Sequence, residues 1–429
     1  LTPTCKTLHL TNAFHATSGG IAAFYRALLA EAVRQERQLT LVVPAAAARL
    51  ENVSPTCHIY YLAAPPAPFF DRRYRLLLPQ TYLPGGALRR ILQTEQPDVL
   101  EVCDKYALNW LAGLLRRGWL PGVKRPVLLG ASHERMDDNV AAYLTNQRAV
   151  QRLTQLYLGY CYLPLFDYHV ANSAYTAAEL HAARRPGHER EVYVRPVGIE
   201  VEALSACQGS ALMRARLWQQ TGGGPPGKLL LYAGRLAPEK NVRLLLEMLE
   251  HLPPDYRLLI AGAGPLAAEL QRQAAHRTPG RLCWLGHLSD RQALLDLYAN
   301  CDAFVHPNPR EPFGIAPLEA LAAGLPLIAP RAGGVLSYAS DANAWLAEPN
   351  GPAFAAAVQA VFALEPRRAE RLAQGRATAQ RYGWATVTQA WFTLYEELQE
   401  QFPASRFAPV APAAGWRAAS EKNPAAQEP

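Results

Sequence analysis

Residues 306–324 read HPNPREPFGIAPLEALAAG, and the fold follows from this stretch. The apolar residues 303–306 before it predict a buried strand, and the prolines predict a loop. A helix is expected from about Gly314, with Pro317 in its first turn, where a missing N–H costs nothing. The start of such a helix leaves backbone N–H groups free, and its dipole favours negative charge there. Glu311 falls on the loop, and Glu319 about a turn and a half into the helix. One segment therefore offers an anion site made of amides beside two carboxylates able to accept hydroxyl hydrogen bonds. A ligand carrying phosphate and sugar hydroxyls suits both features. Taken alone, the two glutamates read equally well as solvated helix charge.

Strand and helix patterns alternate outward in both directions, which predicts parallel sheets. C-terminal to a flexible TGGGPPG loop, a strand is expected at 229–233, then GRLAPEKN (234–241) and a helix over 242–252. Arg235 and Lys240 bracket that loop. As cations beside free amides they suit a diphosphate; the plainer reading is surface charge. The next strand, 256–261, ends in Gly262-Ala263-Gly264-Pro265, half of a dinucleotide fingerprint and weak by itself. A strand at 281–285, a helix over 290–300 opened by a Ser289 capping box and a strand at 325–329 complete the pattern. Terminal helices are expected over 352–364, 367–381 and 384–402.

In the N-terminal half, a strand at 7–10 leads through TNAFHATSGG (11–20) to an apolar helix over 21–34. Gly19 and Gly20 suit a phosphate cradle or a plain turn. Strands follow at 39–44, 58–62 and 98–102, and a helix over 106–117. The strand VLLGAS (127–132) ends at His133-Glu134, and the carboxyl end of a parallel strand is where ligands of open α/β sheets bind. A long helix over 139–160, a strand at 167–171, a Ser173-capped helix and a strand at 192–197 complete this half.

The chain's 429 residues suffice for two or three domains, and half are hydrophobic. The net charge is +7; residues 1–200 carry 22 Lys/Arg against 16 Asp/Glu, so most of the excess lies there. That excess suits anionic substrates or an anionic membrane surface. No nucleic-acid module is recognisable, and no nucleic acid is expected as a partner. Seven scattered cysteines without a CxxC read as free thiols in a reducing compartment. No run of 18 apolar residues predicts a membrane span, and the N-terminus shows neither a signal-peptide pattern nor an initiating Met. The Pro-rich stretch 64–92, with five arginines, reads as a core helix with a basic edge or as a membrane-surface face.

PNPREPFGIAPLEALAAGLPLIAPRAGG, GRLAPEK, SHERMD and ANSAYTAAEL resemble segments of the retaining nucleotide-sugar glycosyltransferases with an E-x7-E motif, a family 4-like group. The resemblance covers roughly residues 7–402 and is strongest over 229–334. It implies the GT-B fold: two doubly wound, Rossmann-like α/β domains facing a cleft. The first would span 1–204 on the acceptor side and the second, 205–382, would bind the donor. A helix over 383–402 would cross back, and 403–429 would form a disordered tail.

By family position, Glu311 and His133 would meet the sugar and Glu319 the ribose. Arg235, Lys240 and the amides of Phe313, Gly314 and Ile315 would meet the diphosphate. Gly19 and Gly20 would approach the phosphates and the acceptor. Gly262, Gly264, His287 and Leu288 would line the base. No metal or other cofactor is expected, because Asp137-Asp138 reads as part of a helix-leading loop.

EVCDKYALNWLAGLLRR and LLGASHERMD further resemble bacterial GDP-mannose-dependent α-mannosyltransferases. The expected partners are thus GDP-mannose and a lipid or saccharide acceptor, in the cytoplasm, with a weak peripheral contact to an anionic membrane. A UDP-sugar donor, an epimerase or phosphorylase on the same fold, and a silent sugar-nucleotide binder are the alternatives.

Overall fold

The computed structural model describes residues 5–14, 19–67, 75–141, 147–187, 191–363 and 367–402. Two sheets organise them. The first contains β1 (Thr7–Thr11), β2 (Leu39–Ala45), β3 (Arg49–Asn52), β4 (Cys57–Ala63), β5 (Val99–Cys103), β6 (Val127–Ser132), β7 (Tyr168–Ala171) and β8 (Val192–Val194), in the order β3-β4-β2-β1-β5-β6-β7-β8. Only the edge strand β3 is antiparallel. The second contains β9 (Lys228–Ala233), β10 (Tyr256–Ala261), β11 (Leu282–Gly286), β12 (Ala303–Val305), β13 (Leu327–Pro330) and β14 (Trp345–Ala347), in the order β11-β10-β9-β12-β13-β14 and parallel throughout. Central strands such as β1 and β6 are buried along their whole length; β6 accordingly reads as a largely apolar run, whereas β1, Thr7-Leu8-His9-Leu10-Thr11, alternates and buries its polar side chains too. These are the two facing α/β domains that the GT-B fold requires.

Each sheet reverses its strand order beside its first strand. β1 lies between β2 and β5, and β9 between β10 and β12. Loops leaving the carboxyl ends of strands at such a reversal part to opposite faces and open a crevice. The segment after β1 enters one crevice; the segments after β9 and β12 enter the other.

The chain passes between the domains twice, and the two passages are joined. The Ile199 amide donates to Tyr382 O at 2.9 Å, and the Trp384 amide donates to Ile199 O at 3.2 Å. A Cβ on Gly198 would lie 2.5 Å from the Trp384 ring, so only glycine fits there. The helix Trp384–Gln401 then packs on the helix Gly20–Arg34 and on β5. Its Trp391 indole donates to Pro196 O at 3.0 Å, and its Tyr395 hydroxyl donates to the buried Glu101 carboxylate at 2.6 Å.

Several elements differ from expectation. The helix expected from residue 106 begins at Asn109, because Asp104 Oδ1 accepts the N–H groups of Tyr106, Ala107 and Leu108 in a preceding turn. Of the helix expected over 139–160, the described residues form Met136–Ala141 and Gln147–Tyr157, and it ends earlier than expected, in a π-turn, Leu158–Tyr162, ahead of Pro164; residues 142–146 lie outside the described ones. Asp137 and Asp138 occupy the first turn of Met136–Ala141 rather than a loop, and both pair with Arg135. Asp290, not Ser289, caps Arg291–Asn300, its carboxylate accepting the Gln292 amide. β3 and β14 carry no sequence signal; each is a short edge strand. Within the basic stretch, the helix Ala87–Glu95 buries Leu88, Ile91 and Leu92 and turns Arg90 outward. Arg72, Arg73 and the expected tail 403–429 lie outside the described residues.

Candidate active site

A cleft of about 940 Å³ lies between the two crevices and is lined from both domains. Its second-domain wall is built from the segment after β12. Gly314, at φ +90°, starts the helix Ile315–Ala323, and no side chain caps its first amides. Such a start needs glycine, because an L side chain is strained in that conformation. The Tyr338 hydroxyl fixes it from behind, donating to Gly314 O at 2.5 Å. Gly333 and Gly334 pack against the same loop: a Cβ on Gly334 would lie 1.9 Å from Pro312 O. The loop carrying Glu311 is thus held by a second glycine pair whose role the sequence alone did not disclose.

Glu311 is the centre of a charge cluster. Lys240 Nζ reaches its two oxygens at 2.9 and 2.8 Å, and Asn308 Nδ2 donates to it at 3.0 Å. Burial alone would raise its pKa. The Lys240 ammonium, His306 and these hydrogen bonds outweigh that and hold it at about 2. Burial lowers His306 to about 4, so it is neutral at pH 7. Arg235 pairs with Glu239 at the same loop and is more exposed, 40% against 25% for Lys240.

Glu319, one helix turn deeper, is surrounded differently. It accepts the Tyr298 hydroxyl at 2.9 Å and pairs with Arg291 Nη1 at 2.9 Å. Burial raises its pKa, and Arg291 only partly opposes that. Arg291 also reaches Glu200 at 2.9 Å. It lies on the helix after His287 and Leu288, both of which line the cleft. Neither Arg291 nor Asn308 was marked by a motif; each is found by its partner.

Gly262 lines the cleft and Gly264 does not. Added Cβ atoms would lie 1.9 Å from Gly234 O and 2.2 Å from Leu236 O. These glycines let the loops after β9 and β10 pack backbone to backbone, and that packing is sufficient reason for them.

The first-domain wall starts with Gly19 and Gly20, at the uncapped start of the helix Gly20–Arg34. A Cβ on Gly20 would come within 2.8 Å of Ile315 Cδ1, so the two helix starts touch across the cleft. Among the described residues no side chain caps either helix start, and both starts border one volume, an arrangement suited to a diphosphate. His133 is buried between Phe24 and Trp391, with the Trp391 ring stacked on it at 5.9 Å. Burial lowers its pKa to about 4. Among the described residues neither ring nitrogen has a hydrogen-bond partner, and the residue lines the cleft. Both nitrogens are buried and unpartnered, and a neutral imidazole carries one N–H donor and one acceptor nitrogen, the complement that a ligand hydroxyl needs.

Direct bonds close the walls on each other. Ser173 and Thr176 hydroxyls donate to Pro312 O at 2.5 and 3.3 Å, and Arg310 faces Asp138 at 3.8 Å. Ser173 also caps its helix, accepting the Thr176 amide. Among the described residues no group of three His, Cys, Asp or Glu side chains could hold a metal ion.

Known proteins place this geometry. Residues 18–203 match the model described as Glycosyltransferase Family 4, and residues 217–378 match Glycosyl transferases group 1. A GDP-mannose-dependent α-(1-6)-phosphatidylinositol dimannoside mannosyltransferase of Mycobacterium tuberculosis is 30% identical over 375 residues, 87% of this chain and 91% of that one. Sucrose-phosphate synthase of Thermosynechococcus elongatus superposes with a TM-score of 0.73 at 19% identity, over 92% of this chain and 99% of that one. Anabaena HepE in complex with UDP gives 0.67 at 19% identity, over 91% of this chain and all of that one. At such identities these structures establish the fold, GT-B.

Proposed function

The chain belongs to glycosyltransferase family 4, whose members transfer a sugar from a nucleotide sugar with retention, and on that premise we propose that it moves mannose from GDP-mannose to a lipid or saccharide acceptor. The mycobacterial relative, matched over 91% of its length, carries the mannosyl reading. The cleft carries the chemistry: Lys240 and Glu311 meet beside an uncapped helix start at the strand reversal.

In this reading the diphosphate lies between the helix starts at Gly20 and Ile315. As the glycosidic bond breaks, negative charge gathers on the leaving phosphate. Lys240, Arg235 and the amides of Phe313, Gly314 and Ile315 stabilise it, and such preorganised donors weigh most in a closed, low-dielectric site. Glu319 accepts the ribose hydroxyls, with Arg291 and Tyr298 fixing its orientation. Gly262, His287 and Leu288 border the base. Glu311 and neutral His133 hold the sugar hydroxyls. Glu311 stays ionised throughout, so it orients the sugar and does not donate a proton. The acceptor attacks on the face the leaving group departs from, and a phosphate oxygen takes its proton.

A UDP-sugar donor is the second reading, favoured by the UDP held in the Anabaena structure. Thermal shift decides between the bases, since a ligand at one hundred times its dissociation constant stabilises by about 2.7 kcal/mol. Stabilisation by GDP is expected; stabilisation by UDP alone would replace GDP-mannose with a uridine donor. Transfer of labelled mannose to a panel of lipids and saccharides then tests the sugar and the acceptor.

A further inference from the structure

The loop after β6 is gripped by a charged pair beneath the cleft floor. Lys105 follows β5, and Glu179 lies on the helix Ala174–Ala182. Lys105 Nζ donates to Glu179 Oε2 at 2.7 Å, and the two side chains are only 2% and 1% exposed. Burying such a pair is costly, and apolar residues of similar size commonly stabilise a fold as well. Stability alone therefore does not account for it.

Both groups also bond one short backbone segment. Lys105 Nζ donates to Glu134 O at 2.6 Å, and the Asp137 amide donates to Glu179 Oε1 at 2.9 Å. Asn172 Nδ2 closes the set, donating to His133 O at 3.0 Å. Lys105 is itself anchored, its carbonyl accepting the Tyr157 hydroxyl at 2.7 Å. The backbone at and just after His133 is thus fixed by buried side chains reaching in from three other segments. Among the described residues the ring makes no hydrogen bond, so packing and this backbone set its direction.

We propose that Lys105 and Glu179 are positioning residues, a buried ionic strut that aims the His133 ring and the Glu134 carboxyl into the cleft. The assignment rests on the reading of His133 as a sugar-side group. The strut lies on the first domain, while the proposed nucleotide contacts lie mainly on the second. Its loss should therefore slow transfer and spare nucleotide affinity.

The test is the double variant Lys105→Met/Glu179→Leu, which removes both charges and leaves neither unpaired. The full chain is labelled at histidine, and His133→Ala identifies the His133 ring signal, displaced by the stacked Trp391. Expected in the double variant are a melting temperature above that of Lys105→Met alone, a moved or broadened His133 signal, and binding of GDP or UDP within twofold of the parent. Transfer kcat should fall at least tenfold. An unmoved His133 signal with parental kcat would overturn the strut, leaving the pair merely structural. A rate that recovers together with melting temperature would do the same. Parental transfer by His133→Ala would instead fail the reading of His133 itself, and the ring signal alone would then decide whether the pair positions it.

Discussion

The two walls of the cleft are made differently. The donor-side wall comes from short contiguous segments after β9 and β12, and its charges stand at the surface of the cleft: Lys240 on Glu311, Arg235 on Glu239. The opposite wall is aromatic and buried: His133 against Phe24 and Trp391, with Glu101 beneath held by Tyr25 and Tyr395. In the proposed reading the first arrangement answers charge that develops during reaction. The second fixes direction and excludes water. Within the donor wall the contrast recurs, since Glu311 and Glu319 share one motif and are pushed in opposite directions.

Glu311→Gln should break this comparison most severely. It keeps the shape and removes the charge that Lys240 and the sugar face, so transfer should fall by about 10²–10³-fold while nucleoside diphosphate binding, read by calorimetry, stays nearly intact. Near-parental transfer would remove Glu311 from the site.

Lys240→Ala comes next. One charge-assisted hydrogen bond is worth roughly 1.5–3 kcal/mol, so donor affinity and rate should drop by about 10- to 100-fold. Arg235→Ala should cost less, because Arg235 is more exposed and already shared with Glu239. Equal donor affinity in parent and variants would reduce both to surface charge.

Stability against pH sharpens the pair of glutamates. Glu311 is held at about 2, below its ordinary 4.5, so its ion pair stabilises the fold above pH 4.5 and is lost as pH falls through 2. The shift corresponds to a contribution on the order of 3 kcal/mol. Glu319 is raised, so its ionised form is a penalty above the raised value, relieved as pH falls toward 4.5. At pH 7 Glu311→Gln should melt below the parent, and Glu319→Gln no lower than it, though with weaker nucleotide binding. Melting curves in the same order would show that burial, not partners, decides both.

A smaller effect is expected at a lipid surface. Arg75, Arg89 and Arg90 donate to backbone carbonyls, whereas the helix Gln147–Tyr157 and the turn after it expose Leu153 (67%), Leu156 (49%) and Tyr160 (57%). No acidic residue occurs from 139 to 166, while Arg148 and Arg152 share that helix. Weak, salt-sensitive sedimentation with anionic vesicles is expected, at about 1 kcal/mol per basic residue, and Leu153→Asp/Leu156→Asp should reduce it. Sedimentation unchanged by that variant would move the contact elsewhere. No described helix is long and apolar enough to cross a membrane. The smallest effect, none, is expected from EDTA, because Lys240, Arg235 and the helix starts supply the positive charge. Loss of activity restored by Mg²⁺ would contradict this.

The sequence by itself determined the alternating parallel architecture and the local order of the loop and helix start after β12. Both are written in local order: a buried strand, a glycine- or proline-marked turn and the start of a helix are set by residues close together in the chain. Gly314, Glu311 and Glu319 could be read from the nineteen consecutive positions 306–324 because a helix start is a local object. Only the tertiary structure decided which partners each group meets there. Lys240 meets Glu311 across 71 positions, and Tyr395 meets Glu101 across 294. Lys105 finds Glu179 beneath His133, and Ser173 and Thr176 tie their domain to Pro312. No periodicity or spacing encodes such partners, because they belong to separate elements brought together by topology. The clearest case is the glutamate pair: the same side chain, eight positions apart, is lowered at 311 by an ammonium and raised at 319 by burial. A carboxylate's ionisation is set by the dielectric and the charges around it, and those exist only once the chain has folded.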